Sequence, residues 1–331
     1  MNDAPPHDPF ASRRVPDRRF PGGRFVNLHG NTSHTLAEVW RWRANRRPPP
    51  WPDRVEDPWH PPPRLLPPGR IGATFIGQAT WLLQIGGVAI LTDPIWSDRA
   101  SPLRGFGPRR VRRPGQVLDA LPKVELLLVS HNHYDHLDLP TLRAIARRWD
   151  PPALTPTGNA KHLARAGITA RELDWWAAEE VAGLRVTCVP AQHFSARQGW
   201  DRDRDLWGGF VVEAADGARA YFAGDTAWCP HLPEIGRRFP GLNLALLPIG
   251  SYAPRWFVGP EHMDPEEAVR AHLALGARRS LAMHFGTFAG MTDEPWDEPP
   301  RLLAEARGRH GVAEDDFTVP EFGATYEWPA G

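Results

Sequence analysis

The run His131-Asn132-His133-Tyr134-Asp135-His136 limits what this chain can fold into more than any other feature. It follows directly on VELLLVS (124–130), a short, solid apolar stretch of the kind that forms a strand buried on both faces. Side chains alternate along an extended chain, so His131 and His133 point the same way, and a turn into a following helix presents Asp135 and His136 at the same edge. Imidazole and carboxylate donors suit zinc and related divalent metals. Three histidines and an aspartate at the end of a buried strand would be costly without such a partner. The spacing therefore predicts a metal centre at a strand end.

Further ligands are expected from other strand ends. His193 follows the predicted strand LRVTCVP (184–190), Asp225 closes RAYFAG (219–224), and His284 closes SLAM (280–283). A single histidine at a strand end is often structural, and Gly-Asp-Thr is usually a turn. Their combination, in this order after the first motif, points to one centre at the carboxyl ends of several strands, where open α/β sheets place their sites.

Regular structure is predicted from Ile71. IGATFIG and TWLLQIGGVAILTD read as strands with a Gly86-Gly87 turn. A helix over 139–149 carries Leu139, Leu142, Ile145, Ala146 and Trp149 on one stripe, with Asp138 as its cap. Later strands are expected at 184–190, 210–214, 219–224, 244–250 and 280–284. Asp264-Pro265-Glu266-Glu267 has the composition of a capped helix start, and a last helix near 300–309 precedes a terminal strand pair. Two β-rich halves, each with helices outside, predict an α/β fold, a four-layer αββα sandwich forming one domain over residues 70–331.

Residues 1–69 form a proline- and arginine-rich arm, irregular apart from one helix near Thr35–Ala44. It mixes Trp40, Trp42, Trp51 and Trp59 with Arg41, Arg43, Arg46, Arg47 and Arg54. Such a mixture suits a membrane interface or packing of the arm onto its own domain with arginines over indoles. The cover that tryptophans need favours packing.

At 331 residues, with 39 basic and 39 acidic side chains, the chain has no net charge to draw it to nucleic acid. Arginine supplies all the basic side chains but Lys123 and Lys161. Cys188 and Cys229 are too few for a disulfide framework. No window approaches eighteen apolar residues, and the first twenty have no apolar leader core. The expected location is the cytoplasm, with peripheral contact on a membrane left open, as is a homodimer.

HxHxDH followed by His, Asp and His at strand ends resembles the metallo-β-lactamase superfamily. The chain resembles, more narrowly, the N-acyl-phosphatidylethanolamine-hydrolysing phospholipase D family. The runs that carry this are LTDPIWSDRASP (91–102), GPRRVRR (107–113), SHNHYDHLD (130–138), ELDWW (172–176), FAGDTAWCP (222–230), PIGSYAPRWF (248–257), HMDPEEAVRAH (262–272) and HFGTF (284–288). RFVN (24–27) extends it into the arm. The resemblance implies two zinc ions per chain. One would be held by His131, His133 and His193, the other by Asp135, His136 and His284, with Asp225 bridging. It implies a phospholipid substrate cleaved to N-acylethanolamine and phosphatidic acid, with Tyr134 and His262 near the headgroup. Asp135 and Asp225 enter as catalytic metal ligands, and His262 as a candidate proton donor. Gln78 stands where relatives often have His, outside the implied ligands, so it bears on hydrogen bonds around the metals.

Tyr252, Arg255 and Trp256 lie in a loop after a strand end, where substrate contacts are common. Arg109, Arg110, Arg112 and Arg113 read as a solvated basic loop that could alternatively hold phosphate. Three other functions share this sequence pattern: hydrolysis of another phosphodiester or a lactone, zinc-dependent lipid binding without turnover, and nuclease action. The zero net charge disfavours the last.

Overall fold

The computed structural model describes residues 23–30, 34–103 and 105–331. The first twenty residues, read above as lacking a leader, lie outside this range.

In chain order, the first half comprises α1 (Leu36–Asn45), β1 (Arg70–Gly77), β2 (Thr80–Ile85), β3 (Val88–Thr92), β4 (Arg109–Arg110), β5 (Leu126–Leu128), α2 (Leu139–Arg148), β6 (Ala153–Pro156), α3 (Ala160–Ala164) and β7 (Ala170–Leu173). The second half comprises β8 (Ala178–Val181), β9 (Leu184–Val189), β10 (Gly209–Ala214), β11 (Arg219–Phe222), α4 (His231–Arg238), β12 (Leu244–Pro248), α5 (Arg255–Val258), α6 (Pro265–Leu275), β13 (Ser280–Met283), β14 (Phe288–Ala289), α7 (Glu298–His310), β15 (Phe317–Thr318) and β16 (Thr325–Pro329).

Two seven-stranded sheets result, in the orders β16-β1-β2-β3-β5-β6-β7 and β15-β13-β12-β11-β10-β9-β8. Side-chain alternation sorts the strands' two faces. Trp81, Leu83, Leu126 and Leu128 join the inner core with Val186, Phe210, Phe222 and Leu246 from the opposite sheet. Leu82 and Leu127, one residue out of step, pack instead with Leu142, Ile145 and Leu163 of α2 and α3. Helices α4, α6 and α7 contribute Ile235, Val269 and Leu303 to the second sheet's side of the core. This is the four-layer αββα sandwich expected. The burial of β5 on both faces explains why its sequence is solidly apolar.

Local signals behave as their chemistry predicts. Gly86 and Gly87, at φ +61° and +80°, form the two-residue connection that pairs Ile85 with Val88. The Asp138 side chain accepts the Thr141 N–H and starts α2. Asp264 and Glu267 form a reciprocal capping box at α6.

Three expectations need correction or completion. The two terminal strands do not pair with each other: β15 lies beside β13, and β16 beside β1, because each fills an open sheet edge. The arginine run is not a solvated loop. Arg109–Arg110 pairs as β4 with β14, and Arg110 is buried, donating to the Ile95 and Ser97 carbonyls with its guanidinium over Phe288. Arg112 is ion-paired with Asp57 and sits over Phe322, while Arg113 is exposed. Sequence reading also omits β6, β7, β8, β14, α3, α4 and α5, all of eight residues or fewer, and Arg255 and Trp256, read as loop residues, lie in the one-turn helix α5.

The described part of the arm lies against the sandwich. Thr35 and Glu38 make a capping box on α1. Trp42 stacks on Phe257, Arg46 pairs with Asp293, and the Trp51 indole donates to the Glu294 carbonyl. Trp40 and Trp59 remain 70% and 81% exposed. Among the described residues no helix is long and apolar enough to cross a membrane.

Candidate metal centre

The seven side chains singled out by spacing converge at one edge of the sandwich. His131, His133 and His193 form one cluster: the His133 Nδ1 lies 2.8 Å from the His131 Nε2 and 3.2 Å from the His193 Nε2. Asp135, His136, Asp225 and His284 form another, entirely buried. There the His136 and His284 Nε2 atoms are 3.2 Å apart, and each is 3.2 Å from the Asp135 Oδ2. Asp225 links the two. Its Oδ2 is 3.2 Å from the Nε2 atoms of His136 and His284 and 3.7 Å from that of His193.

Strand ends account for this convergence. His131 to His136 leave β5, His193 follows β9, Asp225 follows β11 and His284 follows β13. His284 adopts φ +62° and Gln78 φ +56°, and the His284 N–H donates to the Gln78 carbonyl at 2.8 Å. Left-handed backbone at residues other than glycine costs of order 1 kcal/mol each and gathers at functional sites.

Hydrogen bonds from outside aim the imidazoles. His131 Nδ1 meets the Ser130 hydroxyl at 2.9 Å, and that hydroxyl donates to the Asp93 carboxylate. His136 Nδ1 lies 2.6 Å from the Asp93 Oδ2, and His193 Nδ1 lies 2.9 Å from the Glu261 carbonyl. With Nδ1 engaged outward, Nε2 is left free to face the cluster. Gln78 donates to the Asp135 Oδ2 at 2.9 Å, so glutamine supplies the supporting hydrogen bond that its replacement of His put in question.

The charge balance fits a divalent ion in each cluster. At His131, His133 and His193, burial and neighbouring imidazoles oppose protonation, and His133 and His193 are both held near 3. Three neutral lone pairs then converge. At the second cluster burial again opposes charge on His136, yet Asp225, Asp135 and Asp93 raise it well above its usual value. His284 rises to about 9 because Asp225 and Asp135 outweigh its burial. The carboxylates thus demand positive charge there, while the buried Asp225 Oδ1 has no hydrogen-bond partner in the protein. Neutral nitrogens beside carboxylates that call for a cation are a divalent metal's donor set.

His262 flanks the clusters, its Nδ1 buried, unpartnered and 3.9 Å from the Asp225 Oδ2. Burial first, then His193 and His284, hold it down at about 3 against the pull of Asp225. The Tyr134 hydroxyl donates to the Arg197 carbonyl at 2.8 Å, and the Arg197 guanidinium lies 4.2 Å over its ring. Tyr252 is buried and donates to Glu298, Arg255 braces the His262 carbonyl, and Trp256 is 46% exposed. A small, open cleft beside the second cluster is lined by Gln78, His284, Trp51, Phe288 and Met291.

Sequence reading missed Asp93, although it carries the same signal as Asp225, an acidic residue closing an apolar strand. It also missed Asn27 and Glu261, whose contacts with His193 are made across long chain separations.

The sequence matches the family described as "Beta-lactamase superfamily domain" over residues 89–285. An uncharacterised Mycobacterium tuberculosis protein is 42% identical over 249 residues, 73% of this chain and 65% of the relative. This chain therefore spans just under two thirds of that relative's length. N-acyl-phosphatidylethanolamine-hydrolyzing phospholipase D 1 of Caenorhabditis elegans is 36% identical over 272 residues, 77% of this chain and 75% of the relative. Among solved structures, an isothiocyanate hydrolase from Delia radicum gut bacteria has a TM-score of 0.63 at 23% identity, covering 78% of this chain and 100% of that one. That is a likeness of fold.

Proposed function

Because this chain belongs to the metallo-β-lactamase superfamily, we propose that it is a di-zinc hydrolase that cleaves N-acyl-phosphatidylethanolamine to N-acylethanolamine and phosphatidic acid. The observation that carries the metal reading is Asp225, one oxygen of which faces imidazole nitrogens of both clusters at 3.2–3.7 Å. His131, His133 and His193 would hold one ion and Asp135, His136 and His284 the other, with Asp225 shared. Such a pair would supply Lewis-acid stabilisation of a phosphoryl oxygen and a water acidified towards neutral pH. The printed activity of the Caenorhabditis elegans relative supports the choice of phosphodiester.

The chain's own groups orient the substrate. A proton-donor role for His262 would need an imidazolium, and its surroundings hold it neutral at about 3. It therefore acts as a neutral hydrogen-bonding group towards a substrate oxygen. Arg255 fixes it by donating to its carbonyl at 2.8 Å. Tyr134, next in sequence to His133, is held in place by Arg197. A lipid substrate brings the protein to a membrane surface, and the exposed Leu36, Trp40 and Trp59 of the arm suit peripheral contact there.

The test is a product assay. Zinc-loaded full chain is incubated with N-acyl-phosphatidylethanolamine in mixed micelles, and products are read by mass spectrometry. Zinc-dependent release of both products is expected, with none from His131→Ala. His262→Ala, which removes the hydrogen-bonding group, is expected to lower turnover about 10–100-fold while keeping its zinc. Absence of release from protein holding two zinc ions contradicts this substrate and leaves a smaller phosphodiester or a lactone. Zinc loss in His262→Ala contradicts the role given to that residue.

A further inference from the structure

The arm reaches the backbone of His193 through the Asn27 side chain. Asn27 Nδ2 donates to the His193 carbonyl at 2.8 Å, and Asn27 Oδ1 accepts the His193 N–H at 3.1 Å. The carboxamide thus pairs with both backbone groups of one residue, as a neighbouring strand would. The same Oδ1 accepts the Trp207 indole N–H at 3.1 Å. This network fixes which end of the amide is oxygen, since the opposite orientation would set donor against donor.

The anchor is firm on both sides. Phe25 is buried in the inner core, and its N–H donates to the Asp203 carbonyl at 2.7 Å. Trp207 is fully buried and also donates to the Ala191 carbonyl at 3.0 Å. His193 lies four residues beyond the end of β9, outside any ladder. Its direction therefore depends on contacts made after the strand has ended. Asn27 holds its backbone, and the Glu261 carbonyl holds its ring at Nδ1.

We propose that Asn27 is a positioning residue for the metal centre: by clamping the His193 backbone it aims the His193 Nε2 at the His131–His133 cluster. The arm is then part of the site through its hold on the His193 backbone. This rests on the reading that the cluster holds a metal. Supporting groups of this kind typically contribute 10–100-fold to metal affinity.

Zinc titration of the zinc-free full chain against a chromogenic chelator tests it, together with the melting temperature of the zinc-free form. Wild type should take up two zinc ions. Asn27→Ala should bind one of them about 10–100-fold more weakly while the other keeps its affinity. Asn27→Asp keeps the size and one acceptor but sets an oxygen against the His193 carbonyl, so it should weaken the same site. Two unchanged affinities in both variants would overturn the proposal. So would equal weakening of both sites with a lowered zinc-free melting temperature, since that is the mark of a residue that only docks the arm. If wild type itself takes up no zinc, the metal reading fails first and this proposal with it.

Discussion

Three of the centre's imidazoles, those of His131, His136 and His193, turn Nε2 inward while Nδ1 is engaged from outside. The outer partners differ in chemistry. His136 meets a buried carboxylate directly, His131 reaches the same carboxylate through Ser130, and His193 meets the backbone carbonyl of Glu261. The Glu261 side chain titrates in an informative range. Burial raises it to about 7, against the opposing pull of Arg202. Its folded pKa lies above the unfolded value, so the folded state holds the proton more tightly. The associated stability is present below the unfolded pKa and is lost as pH rises through about 7. Glu261→Gln removes this dependence. In chelator, the melting temperature of that variant minus that of wild type should rise between about pH 5 and pH 8. A difference that stays flat or falls across that range would contradict this assignment.

At the scale of elements, the centre is made by strands that stop at a common edge and by backbones that come unusually close there. A Cβ on Gly250, just after β12, would lie 2.2 Å from the His284 carbonyl oxygen. A Cβ on Gly224, before Asp225, would lie 2.7 Å from the Ser130 Cβ. Glycine at these positions lets neighbouring loops approach. Gly250→Ala must push His284 away, so it should weaken zinc at the second cluster at least about 10-fold. Equilibrium dialysis would check this, and unaltered binding of both ions would contradict it. The same scale explains what could be read in advance. His131, His133, His193, Asp225 and His284 were legible because each follows an apolar run whose end is visible in the sequence. Gln78 and Asn27 find partners 57 and 166 residues away, set by how sheets and arm fold back. Arg110 shows the same limit, since its role follows from pairing with β14, a strand of two residues.

As a whole molecule, the protein is a two-sheet sandwich with an arm laid against it, and the centre sits where the two sheets' strand ends meet. The sandwich was legible because both faces of its strands carry apolar residues and its helices carry apolar stripes. The route of the arm was less so: Trp42 and Trp51 are covered as packing requires, whereas Trp40 and Trp59 face outward. The central claim is that two divalent ions share Asp225 at this edge. Native mass spectrometry of the full chain after equilibration with zinc tests it most directly. The account predicts an adduct of two zinc ions on wild type and at most one on Asp225→Ala. A folded wild-type chain carrying one ion or none, or an Asp225→Ala chain that still carries two, would contradict it.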